Sequence, residues 1–204
     1  MLSGMLQIIS GHYRSRRLQT PVDSSTTRPY AHRVKESVFN ILRGHIEGGQ
    51  VLDLFAGVGT MGLEAASRGA DQVLMVEQDR GIYELLKSNV ESLGCGDEVE
   101  TLCGDALGSV SILRSPRPLN VVFVDPPFKM MEQAATRARV LAQLERVAPL
   151  LADDGFIVLR SPGGTDAGEL GVPGLVGPEI RNYGSHHQVL LYGLHSEEEI
   201  GEGG

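Results

Sequence analysis

The sequence of 204 residues contains no tryptophan, only two cysteines and 5% aromatic residues. Such a shortage of aromatic residues predicts a core built mainly from aliphatic side chains. Cys95 and Cys103 lack CxxC spacing and histidine partners, which argues against a disulfide framework or a metal site and predicts reduced thiols. No apolar run reaches the length of a membrane span, and the first residues lack a signal-peptide pattern, so we expect a cytoplasmic protein without a membrane partner.

The charge is distributed unevenly along the chain. The net charge is −8, yet residues 1–43 hold seven basic and two acidic residues, which leaves −13 on the remainder. This asymmetry predicts a basic arm on an acidic body, and charge alone leaves open whether the arm binds nucleic acid or is only solvated. We expect a basic extension at residues 1–46, a main domain at 47–194 and a disordered acidic tail at 195–204.

The extension has its own predicted elements. Residues 6–9 and 17–20 read as two short strands around Gly11, which predicts a hairpin. Apolar residues then recur at helical spacing, at Val34, Val38, Phe39, Ile41 and Leu42. We therefore predict an amphipathic helix that leads into the main domain and ends near Gly44.

Strands and helices alternate through the main domain. Strands are predicted at residues 51–55, 71–77, 99–103, 119–124 and 156–159, and helices at 63–68, 81–93, 106–113 and 130–147, the last with a break near Thr136. Residues 161–178 are rich in glycine and proline and predict a loop or lid, and residues 179–192 predict a terminal hairpin. The alternation indicates a doubly wound α/β sheet.

A glycine motif follows the first of these strands. Gly57, Gly59 and Gly62 fall in the order G-x-G-x-x-G between that strand and a helix, which suits a tight turn that a ligand can approach closely. The alternative is a turn that only packs the helix on the sheet. Asp53 favours a ligand site, because it precedes the turn at the edge where open α/β sheets bind ligands.

Two further carboxylates end the next strands. Glu77 lies 20 residues after Gly57, at the place where an acidic side chain binds ribose hydroxyls, and its alternative is an ordinary surface glutamate. Asp105 follows the third strand and is also a candidate N-cap of the helix at 106–113. These two roles of Asp105 are compatible.

The fourth strand ends in the tetrapeptide Asp125-Pro126-Pro127-Phe128. The two prolines stiffen the backbone and remove two N–H donors, so the corner offers a carboxylate and carbonyl acceptors. Such a corner suits an amino group as its partner. The alternative is a Pro-Pro loop terminator with Phe128 in the core.

These motifs resemble those of the class I methyltransferases, which bind S-adenosylmethionine. Asp-Leu-Phe-Ala-Gly-Val-Gly-Thr-Met-Gly-Leu-Glu-Ala, followed by Asp-Pro-Pro-Phe, is most similar to the RsmD family, bacterial enzymes that methylate the exocyclic amino group of a guanine in 16S ribosomal RNA. The basic blocks Ile-Ile-Ser-Gly-His-Tyr-Arg-Ser-Arg-Arg-Leu and Arg-Val-Lys-Glu-Ser-Val-Phe-Asn-Ile-Leu extend the resemblance over about residues 5–193. It implies a mostly parallel, seven-stranded Rossmann-like sheet with an amino-terminal β-hairpin and helix.

The resemblance also implies roles for individual residues. Cofactor binding falls to Asp53, Phe55, Ala56, Gly57, Gly59, Glu77, Gln78, Asp105 and Ala106. Catalysis falls to Asp125, Pro126, Pro127 and Phe128, with the Asp125 carboxylate and the Pro126 carbonyl accepting the amino hydrogens and Phe128 stacking on the base. Phosphate binding falls to Arg14, Arg16, Arg17, Arg28 and Arg33. The cofactor would be S-adenosylmethionine, without a metal, and the partner of a monomeric enzyme would be 16S ribosomal RNA or the small-subunit ribonucleoprotein particle.

The sequence departs from the family pattern in the basic blocks. Ser15 stands where the family usually has glycine, and Tyr30 and His32 stand where it has threonine and aspartate. Three rival functions remain: an adenine-amino DNA methyltransferase, a nicotinamide-dependent oxidoreductase and a non-catalytic RNA-binding protein. The chain lacks a large target-recognition domain, Asp125-Pro126-Pro127-Phe128 has no role in hydride transfer, and the complete set of motif residues argues against a silent protein.

Overall fold

The structure, a computed structural model, describes residues 6–21, 32–184 and 187–194. The predicted tail at 195–204, Arg28 and Tyr30 lie outside the described residues. The helices are α1 (His32–Ile41), α2 (Gly62–Ser67), α3 (Arg80–Leu93), α4 (Ser109–Arg114), α5 (Phe128–Glu132) and α6 (Ala134–Val147). The strands are β1 (Gln50–Leu54), β2 (Gln72–Glu77), β3 (Val99–Cys103), β4 (Leu119–Val124), β5 (Leu151–Pro162), β6 (Leu175–Tyr183) and β7 (His187–Leu194).

The strands form one seven-stranded sheet in the order β3-β2-β1-β4-β5-β7-β6. Strands β1 to β5 pair in parallel, and β7 runs antiparallel to both β5 and β6. The predicted doubly wound, mostly parallel sheet is therefore confirmed. The strand order reverses between β1 and β4, where Leu54 pairs with Val124, and ligands bind at such a switch point.

Both faces of the central strands are buried. Alternate residues such as Val73, Val121 and Phe123 face a cluster that includes α1, α2 and α3. The intervening residues, such as Leu74 and Val122, face a second cluster that includes α6. Because neither face meets water, these strands read as continuous apolar runs. No helix in the described part of the chain is long and apolar enough to cross a membrane.

Two predicted helices have different bounds. The helix expected at residues 106–113 begins only at Ser109, and Gly108 rather than Asp105 occupies its N-cap position. The Asp105 carboxylate instead accepts a hydrogen bond from the Leu107 N–H at 2.9 Å, which closes a turn before the helix. The helix expected at 130–147 is split into α5 and α6 at Gln133, whose backbone is extended, rather than near Thr136.

The predicted lid at residues 161–178 was wrong at both of its ends. Strand β5 continues to Pro162, because β7 pairs with it from Ile157 through Pro162, and β6 begins already at Leu175. The segment between these strands contains a short 3-10 helix at Ala167–Glu169. It is anchored where the buried Tyr192 hydroxyl donates a hydrogen bond to the Leu170 carbonyl at 2.8 Å.

The predicted hairpin of the extension is present as a tight loop with a single antiparallel bridge, between Gln7 and Arg17. Gly11 lies directly against α2: the His12 N–H donates to the Ser67 carbonyl at 2.6 Å, and a Cβ at Gly11 would come within 1.7 Å of that oxygen. Ser15 has a φ of +66°, a left-handed conformation that favours glycine. This explains in physical terms why glycine suits that position.

A buried carboxylate joins this hairpin to the main domain. Glu64 of α2 is fully buried and forms ion pairs with Lys35 and Arg68, each at 2.9 Å. Its two oxygens also accept hydrogen bonds from the Ile9 N–H at 2.7 Å and the Ser10 N–H at 3.0 Å. The same group therefore holds the hairpin, α1 and α2 together.

Candidate active site

The four predicted site carboxylates lie at one edge of the sheet. Asp53 is near the end of β1, Glu77 ends β2, and Asp105 and Asp125 follow β3 and β4. Since these strands are parallel neighbours, their carboxyl ends meet at the same edge. The structure thus brings together residues that are up to 72 positions apart in the sequence.

The structure gives two different reasons for the three glycines of the motif. Gly57 has a φ of +57°, and a Cβ there would meet nothing within 4 Å, so this turn is open on its outer side. A Cβ at Gly59 would come within 2.7 Å of Leu86, and one at Gly62 within 2.5 Å of Met75. Gly57 therefore leaves space for a ligand, whereas Gly59 and Gly62 allow close packing of helices α2 and α3 and strand β2.

Phe55 begins the turn in an unusual conformation. Its φ of +65° is left-handed, which is rare for a bulky side chain and costs about 1–3 kcal/mol. The next residue, Ala56, donates its N–H to the Val76 carbonyl of β2 at 2.9 Å. Backbone strain of this kind, held in place by neighbouring strands, concentrates at functional sites.

Two carboxylates accept hydrogen bonds from the backbone of the glycine turn. Asp53, 1% exposed, accepts the Gly62 N–H at 2.8 Å. Glu77 accepts the Gly57 N–H at 2.9 Å with one oxygen and the Asp79 N–H at 2.7 Å with the other. The sequence did not predict these contacts. They show that both acids stabilise the conformation of the loop itself.

The environment of Asp53 strongly disfavours its charge. Burial is the main cause that raises the pKa of this carboxyl to about 8; the hydrogen bond from Gly62 opposes the rise, and the nearby Asp125 and Glu77 add to it. An acid with this pKa is mostly protonated at pH 7. A cation placed beside Asp53 would reverse that preference.

The carboxyl end of β3 differs from those of β1 and β2 in the contacts of its acidic residue. Asp105 is exposed apart from its bond to Leu107, while Ala106 is buried and its carbonyl accepts a hydrogen bond from Gln143 at 2.9 Å. Gln78, also predicted to bind cofactor, is exposed at the end of β2. Asp105 and Gln78 therefore present polar side chains at the same edge as Glu77.

The Asp125-Pro126-Pro127-Phe128 corner is held by a residue that the sequence did not identify. Arg160 of β5 donates from Nε to Oδ1 of Asp125 at 2.5 Å, and its Cζ lies 5.2 Å from the centroid of the Phe128 ring. The ring of His187, the first residue of β7, lies 5.3 Å from the same centroid. Pro126 is buried and Pro127 is exposed. The sequence did contain a signal, because Arg160 is a charged residue directly after the apolar run at 156–159.

The charge state of Asp125 reflects two opposing effects. Burial raises the pKa of this carboxyl to about 6, and the Arg160 guanidinium limits the rise. Asp125 is therefore ionised at neutral pH but loses its charge under mildly acidic conditions.

The predicted phosphate-binding arginines lie at two different places. Arg14, Arg16 and Arg17 are exposed on the hairpin, whose turn is fixed where the Tyr13 hydroxyl donates to Glu98, the residue before β3. They are thus at the amino edge of the sheet, opposite Asp125. Arg33 is exposed in the first turn of α1. This helix runs from the carboxyl edge of the sheet, since Ser37 is hydrogen-bonded to Tyr183 beside the first residue of β7, so Arg33 lies at the same edge as Asp125.

Fold and site together define a class I methyltransferase: a reversed strand order, a glycine turn with acids after β1 and β2, and an Asp-Pro-Pro-Phe corner beside it. The model of the family described as "Conserved hypothetical protein 95" matches residues 6–184, and the chain belongs to that family. The relatives of this chain confirm the predicted resemblance to the RsmD family.

Among these relatives, Ribosomal RNA small subunit methyltransferase D of Escherichia coli K12 is 37% identical over 76% of this chain and 71% of its own length. The protein of the same name from Haemophilus influenzae is 33% identical over 77% of this chain and 88% of its own length. The solved structure of YhhF from Escherichia coli, described as a candidate methyltransferase, superimposes with a TM-score of 0.76 at 32% identity and covers 95% of this chain and all of that one. The chain is therefore a methyltransferase.

Proposed function

We propose that the protein transfers a methyl group from S-adenosylmethionine to the N2 amino group of a guanine in 16S ribosomal RNA. The observation that carries this proposal is the position of the Asp125 carboxylate and the Pro126 backbone at the switch point, next to the glycine turn. The names of the relatives support ribosomal RNA as the substrate. We further propose that the enzyme acts as a monomer, on either naked RNA or the small-subunit particle.

The residues around the glycine turn fit the cofactor. The open space beside Gly57 would accommodate the methionine moiety next to the glycine turn. Asp53 would favour its ammonium group, and Glu77 and Gln78 would bind the ribose hydroxyls. Asp105 and the Ala106 backbone would hold the adenine. When bound, S-adenosylmethionine supplies an electrophilic methyl group.

The Asp125 corner suits the acceptor. The lone pair of a guanine amino group is delocalised into the ring, so the nitrogen is a weak nucleophile. The Asp125 carboxylate and the Pro126 carbonyl can accept its two hydrogens, which orients the nitrogen and favours a pyramidal geometry. The Asp125 carboxylate can also take the proton that the nitrogen loses. Phe128 would stack on the base, which must leave any helix to reach this corner.

The extension at residues 1–46 supplies the RNA contacts in this proposal. Arg14, Arg16 and Arg17 at the amino edge, and Arg33 at the catalytic edge, would hold phosphates, together with Arg28. Binding through phosphates weakens steeply as the salt concentration rises. The bound RNA would then extend across the α1 to α3 face.

We expect cofactor binding to release a proton from Asp53. Because its pKa is about 8 in the free protein, an adjacent ammonium should lower the pKa and expel about one proton at pH 7. Affinity should therefore rise with pH until about pH 8. Calorimetric titration with S-adenosylhomocysteine, in two buffers of different ionisation enthalpy, measures the proton count.

Asp53→Asn is the matched variant for this titration, since its amide oxygen can still accept the Gly62 N–H. We expect it to bind about tenfold or more weakly and to release no proton, because a charge-assisted hydrogen bond is lost. If the wild-type enthalpy is the same in both buffers, Asp53 does not contact the ammonium.

Methyl transfer from radiolabelled S-adenosylmethionine tests the function itself. The substrates are naked 16S RNA, assembled small subunits and duplex DNA, and the RNA and subunits come from an Escherichia coli strain deleted for its own relative, so that the target is unmethylated. Digestion to nucleosides then identifies the product. We expect label in N2-methylguanosine from a ribosomal substrate, and the better substrate shows which form is recognised.

The other outcomes of this assay contradict the proposal in different ways. Label in DNA adenine would favour an adenine-amino methyltransferase. No label with intact cofactor binding would mean that the target lies elsewhere. No label and no cofactor binding would favour a non-catalytic RNA-binding protein.

A further inference from the structure

We propose that Arg160 is a positioning residue that holds the Asp125 carboxylate and the Phe128 ring in their working orientations. The inference rests on the proposed function, because it concerns the same amino-acceptor corner. No motif of the sequence pointed to Arg160, which lies 35 residues after Asp125 on a neighbouring strand.

The geometry of Arg160 is set by the sheet. Strand β5 lies beside β4, and Leu159 is opposite Val124. The next residues along the chain, Arg160 and Asp125, are therefore also neighbours. On its other side, Arg160 pairs with Val189 of β7. The side chains of Arg160 and Asp125 are 9% and 18% exposed, so their ion pair is largely shielded from water.

The contact with Arg160 gives the two oxygens of the Asp125 carboxylate different roles. Arg160 donates to Oδ1, which restrains the orientation of the carboxylate and would leave Oδ2 for the amino group of the substrate. The same guanidinium lies over the Phe128 ring within the range of a cation–π contact, while the His187 ring packs against that ring from β7. One side chain therefore orients both the acid and the stacking residue.

The charges around Asp125 give Arg160 a second effect. Asp53 of β1 lies near enough for the Asp125 carboxylate to raise its pKa, and the His187 ring of β7 packs against the Phe128 ring. Lys129 of α5 is exposed. Arg160 is thus the cation that keeps Asp125 ionised near neutral pH, against its burial.

The test compares Arg160→Met, Arg160→Lys and the control Arg181→Met. Methionine removes the charge but keeps the length, and lysine keeps the charge but lacks the planar donor. Arg181 forms an exposed pair with Glu179 on β6, which is separated from β5 by β7. The readouts are kcat and KM between pH 5.5 and about 9, and the titration of Asp125 by carboxyl ¹³C NMR without substrate, assigned with Asp125→Asn.

We expect Arg160→Met to shift the Asp125 titration and the acidic limb of kcat upward by about 1–3 pH units. Because the Asp125 pKa is about 6 in the wild type, this corresponds at pH 7 to a loss of kcat of about twofold to ninetyfold, partly recovered at pH 9, with cofactor affinity unchanged. Arg160→Lys should keep the limb near that of the wild type yet lower kcat, because an ammonium on a flexible stem lacks the planar guanidinium that contacts both the carboxylate and the Phe128 ring. Arg181→Met should match the wild type.

Three results would overturn the inference. These are an unshifted Asp125 titration in Arg160→Met, a uniform loss of kcat at every pH with the same loss in the control, or a gain in kcat, which would make the ion pair an inhibitory contact. The NMR titration needs no substrate. It therefore separates a failure of this inference from a failure of the proposed function, which would appear as the absence of methyl transfer in the wild type.

Discussion

Replacing Asp125 by alanine should lower kcat for methyl transfer by roughly 10²–10⁴-fold, while the affinity for the cofactor stays close to that of the wild type. In the proposed mechanism Asp125 orients the amino group and takes its proton, and the variant leaves the glycine turn intact. Equilibrium binding of S-adenosylhomocysteine and initial rates with the best ribosomal substrate measure the two effects separately.

Two further variants make this result interpretable. Asp125→Ala leaves the Arg160 guanidinium buried without its carboxylate, so the melting temperature must be measured as well. Asp125→Asn keeps the volume and one acceptor oxygen and should be less impaired than Asp125→Ala. Asp153→Ala, an exposed aspartate in the first part of β5, is the matched control and should be fully active. Wild-type rates in Asp125→Ala would remove this residue from the mechanism.

Glu64→Ala should lower the free energy of unfolding by about 3–5 kcal/mol, because it leaves the buried Lys35 ammonium without its partner. Burial already lowers the pKa of Lys35, and only Glu64 opposes that effect. The N–H groups of Ile9 and Ser10 would lose their acceptor in the same step. Urea denaturation measures the loss.

The matched control for this variant is Glu84→Ala. Glu84 forms an exposed pair with Lys87 at 3.8 Å on α3, and such a pair contributes about 0–1 kcal/mol. Hydrogen exchange adds a local readout, since the Ile9 and Ser10 amides should lose protection in Glu64→Ala before the sheet does. Equal destabilisation by the two variants would contradict a special role for Glu64.

Local patterns in the sequence were sufficient for the central strands. Strand β4 has the predicted bounds, since its apolar run is buried on both faces and stops at the Asp125-Pro126 corner. The glycine turn was predicted for a similar reason: tight turns depend on neighbouring residues. The start of α4 was missed because the Asp105 carboxylate satisfies a nearer N–H, a choice between two local hydrogen bonds that spacing does not reveal.

The contacts that organise the site and the extension were not predictable from local patterns. Arg160 reaches Asp125 only because β5 lies beside β4, and Glu64 binds Ile9 across 55 residues of sequence. The length of β5 was also not predictable from local patterns, because its second half is extended by pairing with β7. Such contacts depend on the order of strands in the sheet, which the sequence specifies only through the whole fold.

In the proposed function, the position of the basic hairpin sets a distance between the target guanine and a second contact with the RNA. Arg14 and Arg16 lie at one edge of the sheet and Arg33 with Asp125 at the other, separated by about the length of a six-residue strand, roughly 20 Å. An RNA fragment too short to span that distance could place its guanine at Asp125 but would leave the hairpin unoccupied. Activity should therefore depend on the length of the RNA on one side of the target, independently of its base sequence there.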